Sequence, residues 1–212
     1  MIDVIPGIFE KDWAGFVQKV ALAAPYTKWI HVDLLDGSMV EGVTITDFSQ
    51  LSALKDSYPN LSFEGHLMVA SPDKYIKGLV DAGFNRLIAH VESNDPRRFL
   101  ELAKFEEVEV GFAIDGTTEI DQIEPFIEEV DFVVILSAEA GEPGQPFLPE
   151  AVEKVKLLRQ NYPDLPIEVV GGITDQTAKS MIDAGATRLV ATNFIFKDPA
   201  SVAQCIEALK NI

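Results

Sequence analysis

Short runs of aliphatic and β-branched residues alternate along this 212-residue chain with longer stretches of helical period. The runs at 3–5, 29–33, 63–68, 86–90, 109–114, 132–136, 167–170 and 188–191 have the length and near-continuous apolar character of strands buried on both faces. Trp13, Phe16, Val17, Val20 and Ala21 follow the i, i+3, i+4, i+7, i+8 spacing of one buried helix face. Leu148, Ala151, Val152, Val155 and Leu158 make a second such stripe, and Val202, Cys205, Ile206 and Leu209 a third. Ser71 before Pro72 suits an N-cap and first helical position. Gly83 and Gly185 stand where helices end and the chain turns left-handed. Residues 46–58 carry the weakest helical signal, because their Asp, Ser and Thr content also permits a loop.

One segment is echoed. DAGFNRLIA at 81–89 and DAGATRLVA at 183–191 agree at six of nine positions, and each reads as a helix end, a tight turn and a strand start. The copies fall in the fourth and eighth of eight βα units. Strands alternating with helices imply a parallel sheet. Eight such units with a half-chain echo favour a (β/α)8 TIM barrel over an open doubly wound sheet. No Pro-, Gly- or Ser-rich linker interrupts the pattern, so residues 1–212 are expected to form a single barrel domain.

Composition narrows the function classes. With 47% hydrophobic and 24% charged residues the chain is an ordinary globular one, and its net charge of −17 argues against nucleic acid or an anionic membrane surface as partner. No apolar run approaches the length of a membrane span. Cys205 is the only cysteine, so no intramolecular disulfide forms and a reducing compartment fits. MIDVIPGIFEKDW lacks the charged start and long apolar core of a signal peptide, and a cytoplasmic location is expected.

Candidate chemistry begins at WIHVDLLDG, residues 29–37, where His31 and Asp33 interrupt an apolar strand. Residues two apart on a strand point to the same face, so both side chains share one target. All three histidines, His31, His66 and His90, fall near strand C-terminal ends, where barrel sites lie. One such histidine alone is commonly a satisfied core residue. Together with Asp33, the set suits Zn²⁺, Fe²⁺ or Mn²⁺. Gly171, Gly172 and Ile173 after the seventh strand, and Thr192 and Asn193 after the eighth, stand where barrels often hold phosphate.

PGIFEKDW, WIHVDLLDG, GHLM, AHVE, the loop at 141–147 and EVVGGI resemble, in that order and across essentially the whole chain, the ribulose-phosphate 3-epimerase family. The resemblance implies a ribulose-phosphate-binding barrel, an isomerase of pentose-phosphate metabolism. Such an enzyme interconverts D-ribulose 5-phosphate and D-xylulose 5-phosphate through an enediolate. It implies one divalent metal ion (Zn, Fe, Mn or Co) held by His31, Asp33 and His66, with Asp33 also an acid/base residue. It places phosphate at Gly144, Gly171, Gly172, Thr192 and Asn193, and a substrate-facing surface at Gly7, Met68 and Gly141. The implied partner is a small phosphorylated sugar, and relatives are commonly homo-oligomers. His90 lies outside the implied ligand set, and Asp36 is read as shaping the turn before Gly37.

The chain also departs from the family. Val170 stands where the family's VDGG has its second catalytic aspartate and fourth metal ligand. Gly7 replaces a serine, Gly141-Glu142-Pro143-Gly144-Gln145 replaces a glycine-rich loop, Thr192-Asn193 replaces Gly-Ser, and residues 38–42 lose a His and a Pro-Asn. Glu10, Glu139 and Glu168 are the acids weighed as substitutes, Glu168 lying two residues deeper than Val170 on the same strand face, roughly 6–7 Å along it. Three readings result: a divergent epimerase, a one-base metal-dependent isomerase or lyase on another sugar phosphate, or a non-catalytic sugar-phosphate-binding barrel.

Overall fold

Every apolar run becomes a strand: β1 (Asp3–Ile8), β2 (Trp29–Leu35), β3 (Ser62–Met68), β4 (Arg86–His90), β5 (Glu109–Ile114), β6 (Phe132–Leu136), β7 (Ile167–Val170) and β8 (Arg188–Ala191). They pair in parallel in chain order, and β8 closes on β1. The computed structural model describes residues 2–141 and 143–212. Closure leaves no free strand edge, and the architecture is the expected (β/α)8 TIM barrel. Three strands run longer than their apolar patterns. β1 continues through Pro6 and Gly7, with Gly7 level with His31, because ladder pairing carries residues that an apolar pattern skips.

The helices are α1 (Trp13–Ala23), α2 (Leu51–Ser57), α3 (Ile76–Ala82), α4 (Pro96–Phe105), α5 (Glu150–Asn161), α6 (Ala178–Ala184), α7 (Asn193–Phe196) and α8 (Val202–Lys210). Asp12 caps α1, its Oδ1 accepting from the Gly15 N–H at 2.9 Å. The buried stripe of α1 is Phe16, Val20 and Ala23, whereas Ala21 faces solvent. α2 occupies only the second half of 46–58, since Asp47 accepts from Ser49 N–H and holds a turn ahead of it. Pro72 opens a 3-10 turn, Pro72–Lys74, rather than α3, and Ser71 does not cap it. The Ser71 hydroxyl instead accepts from Asn94 Nδ2 at 3.4 Å. The fifth unit has two 3-10 turns, Ile120–Gln122 and Glu124–Phe126, in place of an α-helix, because Pro125 lacks the N–H an α-helix needs. Both DAG copies end as expected, with Gly83 at φ 99° and Gly185 at φ 114°. Among the described residues no helix is long and apolar enough to cross a membrane.

Side chains alternate between the barrel interior and the helix-facing core. One side of the interior is apolar, built from Ile88, Ala113, Phe132, Val134 and Leu136. The other is a charged layer. His31, Glu64 and Arg86 stand level on β2, β3 and β4, and Glu168 stands level with Arg188 on β7 and β8. That division puts ionisable groups directly beneath the C-terminal mouth.

Candidate functional site

A pocket of about 390 Å³ opens at the C-terminal ends of the strands. Its floor is Asp33 and His66, its apolar wall includes Met68, Leu136, Val170 and Val190, and its far side is formed by the loops after β6, β7 and β8. Of the residues expected in the site, Asp33, His66, Met68, Gly141, Gly144, Gly171, Gly172, Thr192 and Asn193 all line it.

His31 lies beneath that floor, fully buried, and completes a triangle with the two floor residues. Its Nε2 is 3.2 Å from Asp33 Oδ1 and 3.2 Å from His66 Nδ1, and His66 Nδ1 is 3.2 Å from Asp33 Oδ1. β-strand alternation sets His31 and Asp33 on one face, and the β2–β3 register sets Asp33 level with His66. Bonds of about 2.1 Å from one tetrahedral ion would hold ligand atoms roughly 3.4 Å apart. Two imidazoles and a carboxylate in this triangle therefore fit a divalent transition metal with positions left open.

Each histidine is held from its other ring nitrogen. His31 Nδ1 is 2.9 Å from Glu64 Oε1 and 3.6 Å from Glu168 Oε1. Glu64 in turn accepts from Arg86 Nη1 at 3.2 Å, and Arg86 lies 3.5 Å above the Trp29 ring. His66 Nε2 faces His90 Nε2 at 2.9 Å. Burial opposes charge on His31, but hydrogen bonds with Asp33 and Glu64 and the nearby Glu168 carboxylate raise its pKa well above the ordinary value. Burial also opposes charge on Asp33, yet the adjoining His31 and His66 rings hold it well below the carboxylate range. Burial, with His90 and His31 nearby, pushes His66 down to about 4 against the pull of Asp33. Glu168 is pushed up to about 7 by burial and by the Glu64 charge, and neither of its oxygens has a hydrogen-bond partner.

Two expected features sit elsewhere. Gly7 is buried and does not line the pocket, because the Thr192 hydroxyl fills the space before it. Among the three acids near the strand ends singled out from the sequence, Glu10 is paired with Lys19 at 2.8 Å away from the pocket, and Glu168 is sealed beneath the floor. Glu139 alone of the three lines it. His90 is a buried partner of His66, and Asp36 shapes its turn by accepting from Ser38 N–H at 2.9 Å and from Tyr75 at 2.8 Å.

At the other end of the pocket Gly171 (φ 99°) and Gly172 (φ 62°) hold left-handed backbone that few side chains tolerate. Thr177 Oγ1 donates to the Gly172 carbonyl at 2.8 Å and fixes the turn. A Cβ on Gly144 would lie 2.9 Å from Asn193 Nδ2, so the loop after β6 packs on the loop after β8. Glu64 and Glu92 escaped the reading of the sequence, although each lies two residues from a histidine, the spacing that singled out Asp33.

Residues 3–196 match the model of the ribulose-phosphate 3 epimerase family. This chain belongs to that family. It is 33% identical over 212 residues to the ribulose-phosphate 3-epimerase of Schizosaccharomyces pombe, covering 98% of this chain and 92% of the relative. In fold it resembles a 3-hexulose-6-phosphate synthase from Salmonella typhimurium (TM-score 0.77, 15% identity, 99% and 97% covered). It also resembles a 3-keto-L-gulonate-6-phosphate decarboxylase from Vibrio cholerae (TM-score 0.76, 12% identity, 99% and 96% covered). The span matched to the epimerase family contains every candidate residue from Gly7 to Asn193.

Proposed function

We propose that this chain is a sugar-phosphate epimerase that moves the C3 proton of a pentulose 5-phosphate, with Asp33 as its base and one acid/base group fewer than its family. The observation that carries the reading is the triangle of His31, Asp33 and His66 under a pocket whose far end is built from left-handed glycine turns. Gly144, Gly171, Gly172, Thr192 and Asn193 take the phosphate, using backbone N–H groups that glycine turns leave accessible. The sugar then extends towards Asp33. A divalent cation on His31, Asp33 and His66 supplies Lewis-acid stabilisation of the oxyanion charge that develops as the proton leaves.

Asp33 is kept ionised by its histidine neighbours and takes the proton beside the sugar carbonyl, giving an enediolate. Epimerisation needs a proton delivered to the opposite face. Val170 can neither carry a proton nor ligate a metal, so delivery falls to Glu139 or to water in the pocket. Loss of one acid/base group typically lowers rate by about 10²–10⁴-fold, and turnover is expected to be slow.

The apolar wall of Val170, Val190 and Leu136 favours a second reading, in which Asp33 works alone in a one-base isomerisation or cleavage. One assay separates the readings: D-ribulose 5-phosphate in heavy water with Zn²⁺, Fe²⁺, Mn²⁺ or Co²⁺. Deuterated D-xylulose 5-phosphate, lost in Asp33→Asn, supports the epimerase. Deuterium in recovered substrate without epimerisation supports the one-base reading. Neither product with any metal, alongside thermal stabilisation by the sugar phosphate, leaves a binding barrel.

A further inference from the structure

A chain of contacts leads away from His66, from buried His90 out to Glu92 at the surface. His66 Nε2 and His90 Nε2 are 2.9 Å apart, and the two rings stack with centroids 5.0 Å apart at 13°. His90 Nδ1 is 3.2 Å from Glu92 Oε2. The other carboxylate oxygen, Glu92 Oε1, accepts from the backbone N–H of Asp115 at 2.9 Å, just past β5. Both rings are excluded from solvent, so the proton between them has no water to exchange roles with.

An ionised carboxylate only accepts, so His90 Nδ1 carries the hydrogen that meets Glu92. A neutral His90 then has a bare Nε2, which only accepts. His66 must supply that hydrogen from its own Nε2. His31 stands between two carboxylates, Glu64 at Nδ1 and Asp33 at Nε2, and so carries hydrogen on both nitrogens. A neutral His66 is left with a bare Nδ1, which accepts from His31 Nε2 at 3.2 Å. The reverse polarity would press the lone pair of His90 Nδ1 against the Glu92 carboxylate. The Asp115 amide cannot reverse its own direction, so the order is anchored at the backbone.

We propose that Glu92, acting through His90, is a positioning residue that keeps His66 Nδ1 unprotonated on the side of Asp33 and His31. The inference rests on the reading of those three residues as a cation-binding set for its purpose, but not for its test. Carboxylate partners of this kind set the tautomer and basicity of ligating histidines. Here the carboxylate acts at one remove, through a second imidazole.

The proton order is read in the metal-free protein by ¹⁵N spectra of its three histidine rings. The wild type is expected to show His66 protonated at Nε2 and bare at Nδ1. In Glu92→Gln, near-isosteric with the wild type, the amide oxygen stays on the Asp115 N–H and the NH2 group turns to His90. That donor reverses the chain and moves the His66 proton to Nδ1. Affinity for Mn²⁺ or Zn²⁺, titrated on the same samples, is expected to fall about 10–100-fold. Wild-type His66 protonated at Nδ1 overturns the inference, and so does an unchanged His66 tautomer in folded Glu92→Gln. A wild type with the expected tautomer and no cation binding overturns the metal reading and supports the proton order.

Discussion

Gly7 on β1 and Thr192 after β8 divide one space between them. A Cβ on Gly7 would run into Thr192 Oγ1 and come within 3.0 Å of Val190 Cγ1. The two residues are therefore coupled, the missing side chain on β1 making room for the hydroxyl after β8. Gly7→Ser is expected to destabilise the barrel by about 1–3 kcal/mol through overpacking. Thr192→Gly in the same chain should recover at least half of that. Urea midpoints of both single variants and the double measure the coupling. Simply additive costs would show that the residues do not share the space.

Val170 lines the pocket on the same strand face as Glu168. Val170→Asp is expected to return a fourth ligand, tighten Mn²⁺ or Zn²⁺ binding at least tenfold, and raise epimerisation by about 10²–10⁴-fold. Calorimetric titration and a coupled xylulose 5-phosphate assay read the two effects separately. Tighter metal with unchanged rate would mean that proton delivery from the β7 side does not limit turnover.

Arg86 neutralises Glu64 beneath His31 and stacks on Trp29, all inside the barrel. Arg86→Met removes one of the two partners of the buried Glu64 carboxylate and leaves it only His31, a change expected to cost up to about 3–5 kcal/mol. Glu64→Gln added to it should recover most of the loss. Denaturation of the three variants decides the matter, and an Arg86→Met protein as stable as the wild type would refute the role given to the ion pair.

Asp36 and Tyr75 set the pH limits of the turn after β2. Burial acts to raise the Asp36 carboxyl, but hydrogen bonds from Ser38 and Tyr75 outweigh it and lower its pKa. Its contribution is therefore present above the unfolded carboxylate value and lost as pH falls through the folded one. Burial and the Asp36 charge push the Tyr75 hydroxyl up to about 12. That contribution is complete below about pH 10, the unfolded value, and is lost as pH rises through the folded one. Tyr75→Phe should flatten melting temperature across that alkaline window. An unchanged alkaline slope would place its cause in another group.

The sequence made the strands and the His/Asp pair legible because both are local properties. Apolar runs mark buried strands, and spacing of two puts His31 and Asp33 on one face without knowledge of any neighbour. The same spacing ties Glu64 to His66 and His90 to Glu92. Their roles stayed hidden because each carboxylate serves a histidine reached across a strand register or a second ring. Glu10 and Glu168 stay open as compensating acids in the sequence for the same reason. Sequence distance does not say that Lys19 turns Glu10 aside, or that the floor seals Glu168 in.

From sequence alone come the eight βα units, the barrel they imply and the residue types that a metal and a phosphate need. Only strand register sets His66 level with Asp33, and only closure of the barrel puts Thr192 in the space of Gly7. Pairing β8 with β1 and β2 with β3 brings together residues far apart in the chain. Those contacts depend on register and on side-chain volume in three dimensions, which periodicity along one strand does not encode.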